Sequence, residues 1–533
     1  MKKYVLPVLL LILAGCASTD KKIKHINTPL SVAEMQQDLV FVKKRLFTMH
    51  PDADLYIDKD ALNKKFDSVY NSLNTPLKPN EFHLKIAPII AAVKQGHMRI
   101  NGLTLPSTKA EIKKYKDTRG PLSQLNYRYF NDTLYVSHNH HLKNGVRPGS
   151  AVLKFNNKTP KELFEHYKLT YASDGYNQTY LPKGFTSRFY PEMLAMFGMQ
   201  DSIPLTLLCE GSVNEVVLRR YSTKKETAQG TSKDSLSKQI KTPIEQKKTK
   251  TVAHKIPKDS LTIIAKKEKE LKKQKRILGY VDGNFNRTLS FPNPKDSTYA
   301  VLRIRSFSSG KFKKSYDSLF STIQEKNIQH LVLDLRGNTG GLIADIDYLY
   351  RYLKKVEEPL ITSSKINSKW KMPFYAVKGK SVAHYTFLSP IYALALPYLY
   401  TRTFTGANDQ SEFRVAGLKA TAPKAKAYTN KLDVLIDGAT FSASSIISSN
   451  LQGSHRAKVY GEESGGTYNG TVAGIMPVLT LPNSKLKWRI GLMHIIPYHH
   501  KEVFGYGVMP DVPLNLSTDE KIFDEDAVYQ LIP

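Results

Sequence analysis

Apolar residues in the first part of the chain recur at the spacing of an amphipathic helix. Four of them fall three or four residues apart, at Met35, Leu39, Val42 and Leu46. Ser31 and Glu34 precede them in the order of a capping box, so a helix is predicted to begin there. Similar spacing predicts helices at residues 60–73 and 80–93, and the pattern changes towards that of a strand at residues 95–100.

The next region has the shorter period of a β domain. Residues 134–136 predict one strand, and a glycine-bearing turn at 145–150 leads into another strand at 151–155. A helix is predicted over residues 160–167. The turn, the alternating strand and the polar turn after it resemble the core of a PDZ-like domain, which would cover residues 113–220. The alternative is a structural β insert without a peptide-binding groove.

The C-terminal half alternates between strands and helices. Strands are predicted at residues 299–307, 330–335, 432–436 and 457–460, and helices at residues 311–325, 342–353 and 441–451. This order is typical of an α/β layer with parallel strands. Sites in such sheets lie where strands end and helices begin, and the turns at 337–341 and 438–442 occupy that position.

Charge identifies a segment that fits none of these patterns. The chain has 533 residues and a net charge of +31, and residues 221–276 hold 17 Lys or Arg against six Asp or Glu. This segment has no aromatic residue after Tyr221, so we predict a basic flexible linker, with a short helix possible from Asp259 to Arg276. A nucleic-acid-binding arm is the alternative. The segment lacks the aromatic side chains that stack on bases, so no nucleic-acid partner is expected.

The first residues have the layout of an export signal. Lys2 and Lys3 precede an apolar run from Val5 to Leu13, which is too short to span a bilayer as a mature helix. Residues 13–16 read Leu-Ala-Gly-Cys and resemble a bacterial lipobox, which implies a signal peptide over 1–15 and a lipid on Cys16. The lipid would anchor the protein to a membrane, with residues 16–30 as a tether. An ordinary signal peptide that happens to contain a cysteine is the alternative.

The two turns at the strand ends contain the residues best suited to chemistry. The first, Gly337–Gly341, holds three glycines, which let backbone N–H groups approach an anion or an oxyanion. It lacks both nucleotide-binding glycine patterns. The second places Ser442 at the start of a helix, where a hydroxyl is either a nucleophile supported by backbone N–H groups or an ordinary N-cap.

A serine nucleophile needs a base, and His97 is the histidine best placed to supply one. It follows Gly96 at a break between a helix and a strand, where an exposed and positioned ring is feasible. His499 and His500 form the other notable pair. No third ligand at metal-binding spacing accompanies them, so a solvated strand end is favoured over a metal site.

Four motifs resemble, in order, those of the tail-specific, or C-terminal processing, serine peptidases. They are residues 331–341, 434–443, 461–466 and 507–511. The resemblance is strong over residues 276–515 and weaker around Gly96 and His97. It implies a crotonase-like (ClpP-like) α/β core at 277–533, an N-terminal helical region at 31–112 carrying His97, and the PDZ-like domain.

The resemblance also implies roles for individual residues. Ser442 would attack the scissile carbonyl, and the N–H of Ala443, with that of Gly340 or Gly341, would form the oxyanion hole. The lysine base of the processing peptidases has no counterpart at residues 464–468, so the chain is more similar to the tricorn-type branch, whose base is a histidine.

The third member of a triad stays open. In the tricorn-type branch it is a glutamate near the last motif, and Glu502 is offset from that position by about two residues. His97 fits the base, because the members of a triad meet in space and not in sequence.

The chain is thus predicted to be an envelope-anchored bacterial serine endopeptidase that cleaves polypeptides near C-termini or in unfolded segments, without a metal or organic cofactor. Two other classes stay open. One is a non-catalytic ligand- or peptide-binding lipoprotein on the same fold, and the other is an envelope adaptor. Substrate identity and oligomeric state are not fixed by these residues.

Overall fold

A computed structural model describes residues 19–223, 258–293, 296–377, 389–406, 409–501, 503–523 and 525–533. The predicted export signal, Cys16, Glu502 and residues 224–257 of the basic segment lie outside these ranges. The described chain has a mixed α/β fold. None of its helices is both long enough and apolar enough to cross a membrane.

Three helices form the N-terminal region and join the main core. They are α1 (Val32–Met49), α2 (Lys59–Ser72) and α3 (Pro79–Ala92), after a helical stretch at 19–27. The predicted capping box is confirmed: the Ser31 hydroxyl accepts the Glu34 N–H at 3.3 Å, and the Ser31 N–H donates to the Glu34 carboxylate at 2.8 Å. Leu39 and Ile86 share one buried cluster with Leu333 of the C-terminal half. The helical region is therefore part of the main body and not a separate domain.

A β module follows, with a hydrophobic core of its own. Its elements are α4 (Lys109–Tyr115), β2 (Thr118–Arg119), β3 (Leu125–Phe130), β4 (Thr133–Asn139), β5 (Ala151–Phe155), α5 (Pro160–Thr170), α6 (Tyr180–Ser187), α7 (Phe189–Phe197), β6 (Ser202–Cys209), β7 (Ser212–Arg219) and β8 (Tyr221–Ser222), after β1 (Arg99–Asn101). Strands β3 to β7 form an antiparallel sheet in chain order. The short strand β8 pairs with β2, so the module extends two residues into the predicted linker.

The end of the basic segment is helical. Helix α8 covers Lys258–Leu278 and runs almost directly into the strands of the C-terminal half. The short helix that the sequence allowed is therefore confirmed, and it is slightly longer than predicted. Opposite charges at helical spacing stabilise α8, as in the ion pair between Glu270 and Lys273 at 3.5 Å. Such an exposed pair adds only about a few tenths of a kcal/mol to helix stability.

The C-terminal half is built on a six-stranded sheet. Its strands are β11 (Arg287–Ser290), β12 (Tyr299–Ile304), β13 (His330–Asp334), β17 (Lys431–Ile436), β18 (Lys458–Gly461) and β23 (Val512–Pro513), which is also their order in the sheet. All neighbours from β12 onward are parallel, as predicted, and β11 is antiparallel. Helices α9 (Phe312–Glu325), α10 (Ile343–Leu353) and α13 (Ala443–Gly453) connect them, each within two residues of its predicted bounds.

Smaller elements complete the main body. They are β9 (Tyr280–Val281), β10 (Asn284–Phe285), β14 (Ile361–Ile366), α11 (Met372–Val377), α12 (Ser389–Arg402), β15 (Thr403–Thr405), β16 (Ser411–Phe413), β19 (Thr471–Ala473), β20 (Val478–Thr480), β21 (Lys487–Arg489), β22 (Met493–Pro497) and α14 (Thr518–Phe523). An antiparallel sheet has the order β15-β16-β14-β22-β19. In a third sheet β1 pairs with β21, which ties the His97 region to the C-terminal half.

A buried ion pair holds the start of α10. Arg287 and Asp345 form a salt bridge with side-chain exposures of 0% and 2%. The Tyr316 hydroxyl donates to the other carboxylate oxygen of Asp345 at 2.7 Å. Asp345 lies in the first turn of α10, directly after the Gly337–Gly341 turn, so this cluster fixes the position of the turn.

Replacing Arg287 with Met is expected to destabilise the protein by about 3–5 kcal/mol, because the Asp345 carboxylate is then buried without its partner. Denaturant unfolding measures the loss. The control is Asp67→Ala, which removes an exposed partner of Lys43 and should cost less than about 1 kcal/mol. Equal losses in the two variants would contradict the interpretation.

Candidate active site

The site begins where two neighbouring parallel strands end. β13 and β17 are adjacent, and the turns that follow them, 335–341 and 437–442, therefore meet at one edge of the sheet. The Phe441 N–H donates to the Asn338 carbonyl at 3.1 Å, and the Gly337 N–H donates to the Asp437 carboxylate at 2.9 Å. These bonds bring the two predicted functional turns into direct contact.

Asp437 and Thr440 brace the second turn. The Asp437 carboxylate also accepts the Ala439 N–H at 3.0 Å, and the Thr440 hydroxyl donates to the Leu335 carbonyl at 3.0 Å. Burial opposes ionisation of Asp437, but the Lys183 ammonium, 3.3 Å away, and the backbone donors hold its pKa below the ordinary value. The turn is thus held by a charged group that stays ionised at neutral pH.

Ser442 has a backbone conformation that is rare for a residue with a side chain. Its φ is 57° and its ψ is −121°, at the N-terminal end of α13. Its side chain makes no capping hydrogen bond, although the residue occupies the N-cap position. The N-cap interpretation therefore does not explain this serine. A strained turn between a strand and a helix that presents a half-buried hydroxyl is the geometry of a nucleophile elbow.

The glycine turn lies against Ser442. A Cβ on Gly340 would be 2.8 Å from the Ser442 Cβ and 2.9 Å from the Ala443 nitrogen, and the Gly340 φ is +97°. Only glycine fits there. The Gly340 N–H donates to the Asn338 side chain at 2.9 Å. Among the N–H groups predicted to form the oxyanion hole, this one therefore already has an acceptor. The Ala443 N–H belongs to the first turn of α13, where a helix offers no acceptor.

His97 reaches the site from the N-terminal region. Its ring packs on that of Phe441, the residue before Ser442, with centroids 4.9 Å apart. The Arg489 side chain of β21 donates to the His97 carbonyl at 2.8 Å and fixes the backbone. Among the described residues, no hydrogen bond joins the His97 ring to the Ser442 hydroxyl. Burial and the Arg489 charge lower the pKa of His97 to about 3, so the ring is neutral at physiological pH.

Two residues that the sequence analysis missed are linked to His97, one directly and one through the first. The Nδ1 of its ring lies 3.0 Å from the Thr471 hydroxyl, which donates to the Asp174 carboxylate at 2.8 Å. The other oxygen of Asp174 accepts the Gly96 N–H at 2.7 Å. Burial raises the pKa of Asp174 to about 6, against the opposing effects of these two hydrogen bonds and of His494.

Asp174 belongs to a segment of the β module, between α5 and α6, that enters the site. In this segment the Asn177 amide donates to the Ser464 carbonyl at 2.5 Å, and the Ser173 hydroxyl donates to the Gly465 carbonyl at 2.9 Å. The Tyr180 ring stacks on Phe441 at 4.6 Å. No periodicity or motif marks these residues in the sequence, and their partners are nearly 300 positions away.

The remaining sequence-based candidates lie elsewhere or are not described. Glu502 is outside the described residues, so the third member of the triad stays open. His499 lies 3.0 Å from the Glu358 carboxylate, and His500 lies 3.1 Å from the Tyr498 carbonyl. Within the described ranges no group of three or more His, Cys, Asp or Glu side chains has the arrangement of a metal site.

Comparison with known proteins matches part of the C-terminal half, which carries Ser442, to a family. Residues 298–514 match the model of Peptidase family S41. The fold is similar to that of mature CPAF, with a TM-score of 0.59 and 14% identity over 93% of this chain and 95% of that chain. Mature CPAF complexed with lactacystin gives a TM-score of 0.58 at 14% identity, over 93% of this chain and 97% of that one.

A weaker match is the photosystem II D1 C-terminal processing protease, with a TM-score of 0.41 and 14% identity over 90% of this chain and 93% of that one. No curated protein matches this chain in sequence. The family match spans all four motifs that resemble those of the tail-specific peptidases. The chain therefore contains a domain of peptidase family S41, and it is a hydrolase of the serine peptidase type.

Substituting Gly340 with Ala is expected to lower kcat/KM for peptide cleavage by about 100-fold or more, because the new Cβ displaces Ser442 or the Ala443 N–H. Gly337→Ala is the matched control. Gly337 also has a positive φ, of +73°, but nothing lies within 4 Å of its added Cβ. Steady-state kinetics on an unstructured polypeptide compare the two variants. If both lose activity equally, backbone strain and not crowding at Ser442 is responsible.

Proposed function

We propose that this protein is a serine endopeptidase in which Ser442 attacks the scissile carbonyl of a polypeptide and His97 is the base. The observation that carries the proposal is the backbone of Ser442, whose φ of 57° and ψ of −121° present an uncapped hydroxyl beside the glycine turn. A serine that only capped a helix would not need this conformation. Strain of this kind is concentrated at functional sites.

The protonation state of His97 suits a general base. With its Nδ1 directed to Thr471, the Nε2 is the nitrogen left for the Ser442 proton. The ring is neutral at physiological pH, because burial holds its pKa well below 6.5. As Ser442 attacks, His97 takes the hydroxyl proton and later delivers it to the leaving amine, and water then hydrolyses the acyl-enzyme by the reverse sequence of proton transfers.

Backbone N–H groups near Ser442 would stabilise the oxyanion. The Ala443 N–H is at the positive end of α13, which favours negative charge at that point. The Gly341 N–H is better suited than the Gly340 N–H to be the second donor beside Ala443, since the Gly340 N–H already donates to Asn338. We expect His97 and Ser442 to come into hydrogen-bond contact when substrate binds, because such contacts are often long in unliganded enzymes.

The β module is proposed to be a PDZ-like domain that binds an extended polypeptide. Its strand β3 is at the edge of the antiparallel sheet, where a substrate segment can add as a further strand. The segment at 173–180 connects this module directly to the Ser442 turn. We therefore propose that the substrates are polypeptides taken near a C-terminus or in an unfolded segment. A crotonase-like (ClpP-like) core is the corresponding proposal for the parallel sheet.

Attachment to the bacterial cell envelope is proposed from the N-terminal sequence. The apolar run before Leu-Ala-Gly-Cys supports export and a lipid on Cys16, with the peptidase domain held close to a membrane surface. The polypeptide substrates would then be proteins of that compartment.

Ser442→Ala is expected to abolish labelling by a fluorophosphonate probe and to reduce kcat for peptide cleavage by about 10⁴- to 10⁶-fold, and His97→Ala should reduce kcat to a similar extent. The matched control is Ser444→Ala. Ser444 is buried two positions further along, its hydroxyl has no hydrogen-bond partner among the described residues, and its removal should leave cleavage intact. Unchanged cleavage by Ser442→Ala would falsify the role of Ser442 and put the peptidase site elsewhere. Absence of both labelling and cleavage in wild type would favour a peptide-binding lipoprotein on the same fold.

Cys16→Ser is expected to move the full-length protein from the membrane fraction to the soluble fraction without changing its peptidase activity. The physical reason is that acyl chains supply the membrane affinity, at about 0.8 kcal/mol for each buried CH₂ group. Fractionation of expressing cells and metabolic labelling with a fatty-acid analogue provide the measurement. Cys209→Ser is the control, and persistence of the Cys16→Ser variant in the membrane fraction would contradict lipid anchoring there.

A further inference from the structure

A continuous hydrogen-bonded chain extends from His97 into the interior. The His97 Nδ1 contacts the Thr471 hydroxyl at 3.0 Å, and that hydroxyl contacts Asp174 at 2.8 Å. Thr471 is 4% exposed and Asp174 is 1% exposed, so water does not compete for these contacts. Both oxygens of Asp174 are engaged, since the second accepts the Gly96 N–H. The carboxylate therefore orients both the ring of His97 and the backbone beside it.

The direction of this chain follows from counting protons. A threonine hydroxyl has one proton, and an ionised Asp174 can only accept. Thr471 must therefore donate to Asp174 and accept from His97, which places the ring proton on Nδ1. The Nε2 then carries the lone pair that a general base needs. If the Thr471 hydroxyl donated to His97 instead, the ring proton would lie on Nε2, and no lone pair would remain there to accept the Ser442 proton.

We propose that Thr471 and Asp174 are positioning residues that hold His97 in the Nδ1–H tautomer. This inference rests on the proposed role of His97 as the base. Neither residue touches the substrate, and both act through the imidazole. Thr471 belongs to β19 and Asp174 to the segment between α5 and α6, so the β module supplies part of the catalytic apparatus.

The proposal makes activity depend on the ionisation of Asp174. A protonated Asp174 donates to Thr471, which then donates to His97 and selects the wrong tautomer. The active form therefore increases as pH rises through the pKa of Asp174, which burial raises to about 6. His97 does not account for an inflection there, because its pKa is lowered to about 3. The other titratable or charged groups facing this pair are Tyr56, His494 and Arg489.

The test compares three single variants and one double variant of the full chain in steady-state cleavage of an unstructured polypeptide. Asp174→Asn and Thr471→Val should each lower kcat by about 10²- to 10⁴-fold with KM changed less than about threefold. Thr471→Ser keeps the hydroxyl and should stay within about tenfold of wild type. The double variant Asp174→Asn/Thr471→Val should lose no more kcat than the worse single variant, because both changes break the same series of hydrogen bonds.

The pH profile supplies a readout that a purely structural role would not change. Wild type should show a kcat inflection near pH 6 that Asp174→Asn lacks and that His494→Gln retains. Thermal melting of each variant shows whether it is folded. A folded Asp174→Asn with wild-type kcat, a Thr471→Ser as impaired as Thr471→Val, or multiplicative losses in the double variant would overturn the proposal.

Failure of the positioning role and failure of the proposed function give different results. If Ser442→Ala is inactive while Asp174→Asn is fully active, only the positioning role fails. If Ser442→Ala still cleaves, the peptidase site itself is elsewhere, and both the proposed function and the positioning role fail.

Discussion

The close approach of the Gly340 backbone to Ser442 is the constraint on which the rest of the site depends. It requires that β13 and β17 be parallel neighbours, because only then do both turns leave the sheet at one edge. It also requires a residue without a Cβ, since the added carbon would lie 2.8 Å from that of Ser442. The Asp437 carboxylate joins the two turns, and the Arg287–Asp345 pair fixes the helix that follows the first one. These three buried or half-buried charged groups thus help to hold two backbones together.

The elements around this contact follow from local signals and were predictable. Nearly continuous apolar runs such as Leu331–Leu335 form buried strands, and Ser31 with Glu34 begins a helix as expected. Ser442 was identifiable as a candidate from its position at a strand–helix turn. Its unusual φ and its uncapped side chain were not, because they result from packing between the two turns. The candidate site was therefore predictable from the sequence, while the backbone geometry of Ser442 was evident only in the structure.

Long-range contacts account for what the sequence analysis missed. Thr471 looks like an ordinary strand residue, and Asp174 stands in a polar stretch between two helices of the β module. No local signal links either residue to His97. Their contacts are set by the register of β19 against β22 and by the path of residues 173–180. The same holds for the N-terminal helices, whose amphipathic faces were evident but whose partner surface, the core around Leu333, was not.

Separating the imidazole from its carboxylate by a hydroxyl has an electrostatic consequence. A carboxylate in direct contact with a buried imidazole stabilises its charged form and raises its pKa, and this attraction weakens as the separation grows. In this protein Thr471 stands between the two groups, and burial with Arg489 dominates, so His97 stays neutral. The arrangement keeps the orienting effect of the carboxylate through two hydrogen bonds while avoiding a permanently protonated ring. In the proposed mechanism, a neutral ring with a fixed tautomer is the state that accepts the proton of Ser442, and activity then depends on the ionisation of one buried aspartate.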